Sequence, residues 1–416
     1  MSRSKPDSLT SIDPPTWSFF REGFRGASES RTAAWRDVGL WAVDRLCERL
    51  GDDWPARTWR KTGQLPGGMA FAFGHPVAYH ELVELALWLE LLSDCEGYAD
   101  VCRPLKLDPR NDVVPHARLQ LEVGALAMQS GFGVRFERPV SGSEKTSDVS
   151  IDLPGGTSLL VEARVVLQDD RTVELNRFTD RVFGGIQSIC RSYDVDCCGD
   201  ISEAMSDPQL AELLTTVETH ARLVAVGASA PRILLRGAAL KVEPRETSVD
   251  RGLRGPALAG DLWPRIADRL EQKARQTQGA RNVWFRICAL QGLWLFTHWG
   301  QLGLPEKLST MRLNIANSLA HHRHVDGVVL SSAAAWPQGT IASDEFEDGA
   351  GGYALACSIP PMLARETLVV PLRSDPETRA HARLWRDMYA SEPEWLDYAL
   401  DRRGLPSVAR IFAPTD

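Results

Sequence analysis

Asp148, Glu162, Arg164 and Lys273 are side chains of the types that hold a divalent cation and offset charge on a reacting phosphate. Asp148-Val-Ser-Ile-Asp-Leu153 alternates polar and apolar residues as a half-buried strand does, and Pro154-Gly155-Gly156 turns the chain into a second strand, Ser158 to Val166. The two-residue period places Leu160, Glu162 and Arg164 on one face of that second strand, and Leu159, Val161, Ala163 and Val165 on the other. A carboxylate on so apolar a strand is costly to bury without a cation, and Arg164 stands two residues away.

The elements around these residues follow from periodicity. His116 to Ser130 sets Leu119, Val123, Leu126 and Ala127 on one helical stripe with Glu122 beside it, and Gly131 is the expected C-cap. Val134 to Phe136 alternates as a short strand. Farther on, Leu262 to Gln276 reads as a helix leading into a strand from Asn282 to Cys288, and Lys273 and Gln276, three apart, can reach inward together.

This order of a helix Glu, a strand-start Asp, then Glu-x-basic on the next strand resembles the PD-(D/E)XK nuclease superfamily. The resemblance covers Val113 to Leu167 loosely and resumes near Asp261. It implies a mixed α/β sheet of restriction-endonuclease-like type flanked by helices. It further implies that Asp148 and Glu162, with the Ala163 carbonyl beside them, hold Mg²⁺ or Mn²⁺, that Glu122 is an auxiliary carboxylate, and that the substrate is nucleic acid, with DNA favoured. Arg164 falls where the superfamily has Lys; it stays protonated, so it can offset transition-state charge but cannot act as a base. Lys273, on the helix after the third strand, is then expected to supply the missing ammonium, with Gln276 beside it. Ser147 precedes Asp148 where the superfamily has Pro, and Asp152 is the fallback ligand should the strand register differ. The competing reading treats Glu162 and Arg164 as a structural ion pair, Glu122 as solvent-capped and Asp148 as a turn residue. A nuclease-like domain that has lost its chemistry, binding nucleic acid or protein within a defence or repair assembly, is the alternative that Arg164 keeps open.

Composition narrows the class. The 416 residues, 44% hydrophobic and 25% charged, are ordinary for a globular protein with a sizeable core. No apolar run approaches the ~20 residues of a membrane span, and the first residues lack an apolar signal core, so a cytoplasmic protein is expected. The eight Cys are scattered without a C-x-x-C pair and read as reduced thiols. Net charge is −8, yet residues 220–286 hold 13 Lys and Arg against 6 Asp and Glu, a candidate nucleic-acid face. A third reading, a structural interaction protein without nucleic acid, draws on the net acidity and the Trp-rich start of the chain.

Motifs for other chemistry are missing: there is no G-x-S-x-G elbow, H-E-x-x-H, G-x-G-x-x-G or P-loop ending. His321, His322 and His324 fall at a predicted helix end, where consecutive rings point apart and a terminal cation suits the helix dipole.

The domain expectation is an N-terminal helical region over 1–104, offering a surface for a homo-oligomer or partner protein, and an α/β core over 105–340. That core would be interrupted by an insertion at about 169–260, and strands and a helix over 341–416 would pack on it. Helices are expected at 32–50, 77–93, 173–192, 208–220, 307–322 and 376–401, strands at 223–226, 232–235, 325–330, 353–359 and 367–372, and a polar turn at 194–200.

Overall fold

The computed structural model describes residues 14–26, 31–62, 65, 69, 72–73, 76–107, 113–139, 146–166, 170–245, 253–255, 263–289, 304–332, 346–347, 352–358 and 364–413. The chain divides into two compact units, Met1–Leu167 with Trp263–Asp416, and Gln168–Leu262.

The first unit opens with helices α1 (Trp17–Gly26), α2 (Ala33–Leu50), α3 (Trp54–Thr62), α4 (Pro76–Leu91) and α5 (Tyr98–Leu107). Helix α6 (Val113–Gln129) leads into the meander β1 (Gly133–Pro139), β2 (Thr146–Asp152) and β3 (Ser158–Val166). The second unit follows as α7 (Asp170–Tyr193), β4 (Val195–Ile201), α8 (Asp207–Ala225), β5 (Ile233–Leu235), β6 (Ala238–Pro244) and β7 (Leu253–Arg254). The chain then returns to the first unit through α9 (Trp263–Gln276), β8 (Val283–Ala289), α10 (Leu304–Leu319) and β9 (Val325–Ser332). It closes with β10 (Phe346–Glu347), β11 (Tyr353–Ser358), β12 (Ala364–Pro371), α11 (Pro376–Ala390), α12 (Glu392–Asp401) and α13 (Val408–Ile411).

Among the described residues the first unit holds one mixed sheet in the order β1-β2-β3-β8-β9-β12-β11-β10. Its β3–β8 and β8–β9 pairs are parallel and its other pairs antiparallel. Parallel neighbours need a crossover, and α9 and α10 lie on the connections that supply it. Leu119 of α6 packs with Ala163 and Val165, the apolar face of β3. Glu162 therefore points to the opposite face, and α9 packs against β3 as well.

The N-terminal helices are not a domain of their own. Trp17, Phe20, Phe24, Trp35, Val38 and Leu46 share one buried core with Val149, Ile151, Val161, Trp284 and Trp385, so helices α1, α2 and α11 pack into the core of the sheet. Trp17 stacks on Trp54 and Trp35 on Tyr79, which uses the aromatic residues inside the core. Among the described residues no helix is long and apolar enough to cross a membrane.

Three local expectations change. The polar turn at 194–200 is strand β4, held by a seven-residue antiparallel ladder to β6. Residues 223–225, read as strand, are the last turn of α8. The C-terminal helix is two, broken at Ser391 ahead of Pro393, whose ring suits a helix start but not an interior. Leu293 to Phe296, read as an apolar element, and most of the acidic stretch 345–352 lie outside the described residues.

Candidate functional site

The site forms where the β2–β3 ladder ends. Pairing runs from Asp152↔Ser158 to Val149↔Val161, and the next donor, the Ala163 N–H, goes to Asp148 Oδ2 at 2.7 Å. The carboxylate thus takes a bond that a backbone carbonyl would otherwise accept, and it sits buried between the two strands. Its other oxygen, Oδ1, accepts from Gln120 Nε2 at 3.1 Å and lies 3.7 Å from His116 Nε2.

Lys273, brought in by α9, closes the arrangement. Its Nζ lies 2.7 Å from Glu162 Oε2 and 3.2 Å from Asp148 Oδ2, so the ammonium bridges the carboxylates from 111 and 125 residues away in the chain. The Lys273 and Asp148 side chains are 13% and 12% exposed against 4% for Glu162.

Burial would raise the pKa of Asp148, but the bond and charge of His116 and the charge of Lys273 together hold it below the usual aspartate value. Glu162 goes the other way: burial first, and then the charge of Asp148, outweigh Lys273 and push it up to about 7. Burial disfavours the Lys273 ammonium, yet the two carboxylates more than offset this and its pKa is raised.

Glu137, on β1, belongs to the same group. It sits between the register pairs Phe136↔Val149 and Arg138↔Ser147 with φ 50°, a left-handed conformation that costs on the order of 1 kcal/mol for a non-glycine residue. Gln120 Nε2 donates to its Oε1 at 3.3 Å and Thr146 Oγ1 to its Oε2 at 2.8 Å.

The residues expected from sequence separate. Asp148, Glu162 and Lys273 converge. Arg164 follows on the Glu162 face of β3, half-buried, while the ammonium between the carboxylates comes from α9 and not from this strand. Gln276 is half-buried at the end of α9 and, among the described residues, makes no hydrogen bond to either carboxylate.

Glu122 as an auxiliary or metal-holding carboxylate is corrected. Arg286 Nη2 donates to its Oε1 at 2.8 Å and the Tyr389 hydroxyl donates to the same oxygen at 2.9 Å, on the α6 side of the sheet. Arg286 is fully buried, donates also to Ser331 Oγ at 2.7 Å, and pairs in register with Ala163, not Glu162. The reason is helical: Glu122 is two residues beyond Gln120, about 200° around α6, whereas His116 and Gln120, four apart, share the stripe that meets Asp148. Asp152, the fallback, pairs with Arg135 and accepts from Ser158 Oγ at 3.1 Å at the other end of the hairpin.

Two carboxylates that converge on one point are hard oxygen donors of the kind Mg²⁺ and Mn²⁺ take, and one or two carboxylates completed by water suffice for Mg²⁺. The pKa of Glu162 is raised first by burial and then by the charge of Asp148, and a further cation beside the pair would lower it. Among the described residues no group of three or more His, Cys, Asp or Glu side chains is placed to hold a metal, so the donor set is Asp148 and Glu162 without a third carboxylate.

No protein-family model matches the chain, and neither a curated protein nor a solved structure matches it.

Proposed function

We propose that this protein is a metal-dependent phosphodiesterase acting on nucleic acid, with DNA as the favoured substrate. The observation that carries the reading is the Lys273 bridge: an ammonium from the helix after the third strand, held between Asp148 and Glu162. The run α6-β1-β2-β3, then α9 and β8, has the element order of the PD-(D/E)XK resemblance and supports a sheet of restriction-endonuclease-like type.

Asp148 and Glu162 would hold Mg²⁺ or Mn²⁺. Once bound, the ion supplies a water of lowered pKa and offsets charge on the scissile phosphate. Asp148 is kept ionised by His116 and Lys273 and kept in place by the Ala163 N–H and Gln120. Lys273, protonated throughout the neutral range, presents positive charge where the phosphate gains negative charge. Arg164 adds a permanent cation one pleat along the strand.

The same bridge favours a second reading. An ammonium already seated between the carboxylates can close the site as a structural ion pair, leaving a nuclease-like fold that binds nucleic acid or protein, as in a defence or repair assembly, without cleaving.

Calorimetric titration of Mg²⁺ and Mn²⁺ into the wild type and Glu162→Gln, with cleavage of single- and double-stranded DNA and RNA followed in the same samples, separates the two. The phosphodiesterase reading expects metal binding and cleavage in the wild type and loss of both in Glu162→Gln, with Lys273→Met retaining metal but losing cleavage by roughly 10²-fold or more. A wild type that binds no metal and cuts none of the four substrates overturns it.

A further inference from the structure

The second unit, inserted between Glu162 and Lys273 in the chain, carries its own ligand-sized cavity. Ala238, Leu240 and Val242 of β6 face inward, packed with Val182 and Ile186 of α7 and Leu213 and Val217 of α8. By strand alternation Ala239 and Lys241 face the other side of the sheet, with Asp200 opposite Ala239 and Cys198 opposite Lys241. On that side lies a cavity of about 460 Å³ into which Arg232, Lys241 and Arg254 open alongside Asp200. The backbone of Gly199 forms part of its wall: φ is 131°, and a Cβ there would lie 2.2 Å from the Ala239 carbonyl oxygen, so this position stays without a side chain.

Three cations meet one acid in this lining, with Glu243 and Asp196 farther along the same face of the sheet. Arg254 Nη1 is 3.9 Å from Asp200, the limit of an ion pair, and Lys241 pairs with Glu243 along its own strand. Arg232 has no hydrogen bond or ion pair among the described residues. Elsewhere in the unit Arg181 pairs with Asp207 at 2.7 Å, Arg222 with Glu218 at 2.6 Å and Arg245 with Asp194 at 3.0 Å, while Arg191 on α7 is exposed without a pair among the described residues. Residues 168–262 hold 15 Asp and Glu against 11 Lys and Arg, so the unit as a whole repels a polyanion and only a local excess of cations can hold one.

We propose that this outer sheet face binds backbone phosphates of the nucleic acid on which Asp148, Glu162 and Lys273 act, an inference that rests on the phosphodiesterase reading. Two guanidinium forks and an ammonium around a bare stretch of backbone suit phosphate oxygens, which accept bidentate arginine bonds and tolerate close backbone approach. The inserted unit then supplies grip on the strand, independent of base sequence.

The test is fluorescence anisotropy of a labelled DNA oligonucleotide with the full chain in EDTA, where no metal-dependent cleavage intervenes. Arg232→Glu/Lys241→Glu/Arg254→Glu is compared with Arg181→Glu/Arg222→Glu/Arg245→Glu, an equal change of charge on the same unit. The cavity variant is expected to bind about tenfold or more weakly, with the slope of log Kd against log salt lowered by about one for each phosphate contact removed. The control is expected to stay within about twofold, since exposed charges away from the contact are screened. Arg232→Gln alone, an exposed side chain without a partner to lose, is expected to lower the slope by about one and guards against a triple variant that fails to fold.

A wild type that does not bind, a cavity variant that binds as the wild type does, or two triple variants that lose affinity equally would overturn the proposal. So would competition by inorganic phosphate as effective as by unlabelled oligonucleotide at equal phosphate, which marks a small-anion site. Cavity-dependent binding by a wild type that cleaves nothing overturns the phosphodiesterase reading and keeps the phosphate site, whereas cleavage with cavity-independent binding does the reverse.

Discussion

Asp148 is tied down on every side: strand backbone, Gln120, His116 and Lys273 all address its two oxygens. Glu162 has fewer partners and a raised pKa, so it is the carboxylate whose charge state answers to what binds. Glu122 plays a different part, and substitution separates the two roles. Glu122→Gln strips the charge that faces fully buried Arg286 and is expected to cost about 3 kcal/mol by urea denaturation. If Asp148 and Glu162 hold a metal as proposed, its metal titration should match the wild type; weakened metal affinity without a loss of stability would mark Glu122 as a ligand. Asp148, Glu162 and Lys273 were legible in the sequence because strand alternation and helix spacing constrain where such residues point. Gln120 and Glu137 were not. An amide on a helix carries no signal of chemistry, and the left-handed turn at Glu137 arises from a β-ladder that no local pattern encodes.

Elements show where periodicity speaks and where it fails. The helix–strand–strand–strand run over 116–166 was readable because apolar periodicity and the Pro154-Gly155-Gly156 turn mark its elements, although α6 and β2 are buried on more than one face. Strand β4 was not, since Asp196, Cys198 and Asp200 fall on the open side of its sheet and partner pairing with β6, not hydrophobicity, makes it a strand. At the start of β9 a different stress is stored. Asp326 is fully buried; one oxygen pairs with Arg373, and the other has no hydrogen-bond partner among the described residues. Burial, with the charges of Asp375 and Glu377 against that of Arg373, pushes it from 3.8 to about 6. A folded pKa above the unfolded one means the native state holds the proton longer, so the stability from this group is present below pH 4 and is lost as pH rises to about 6. Asp326→Asn lacks that loss. Relative to the wild type its stability is expected to improve by up to about 3 kcal/mol between pH 4 and pH 7, read by denaturation at each pH; a flat difference would show that Arg373 keeps Asp326 ionised throughout.

At the scale of the molecule, two cores carry two tasks. The inserted unit packs around Val182, Leu213, Val217 and Leu240, none of which belongs to the core that positions Asp148 and Glu162. Leu213→Ala, fully buried in that smaller core, is expected to destabilise it by roughly 2–5 kcal/mol while metal affinity at the carboxylate pair is unchanged; hydrogen exchange resolved by segment, paired with calorimetry, reads both. Loss of metal binding in this variant would show that the two cores unfold as one. The basic stretch 220–286 also divides between them: Arg232, Lys241 and Arg254 line the cavity of the inserted unit, and Lys273 joins the carboxylates. Asp148 and Glu162 leave the ribosome 14 residues apart, while Lys273 emerges 111 residues after Glu162. Until then the nascent chain holds an acidic pair with no ammonium, and a single proteolytic cut inside the inserted unit yields two fragments that each own half a site. The parallel β3–β8 ladder, the α9 contact with β3 and the core that Trp284 and Trp385 share with the N-terminal helices would rejoin them. The carboxylate cluster is in this sense a split site, its ammonium supplied by the C-terminal half of the chain.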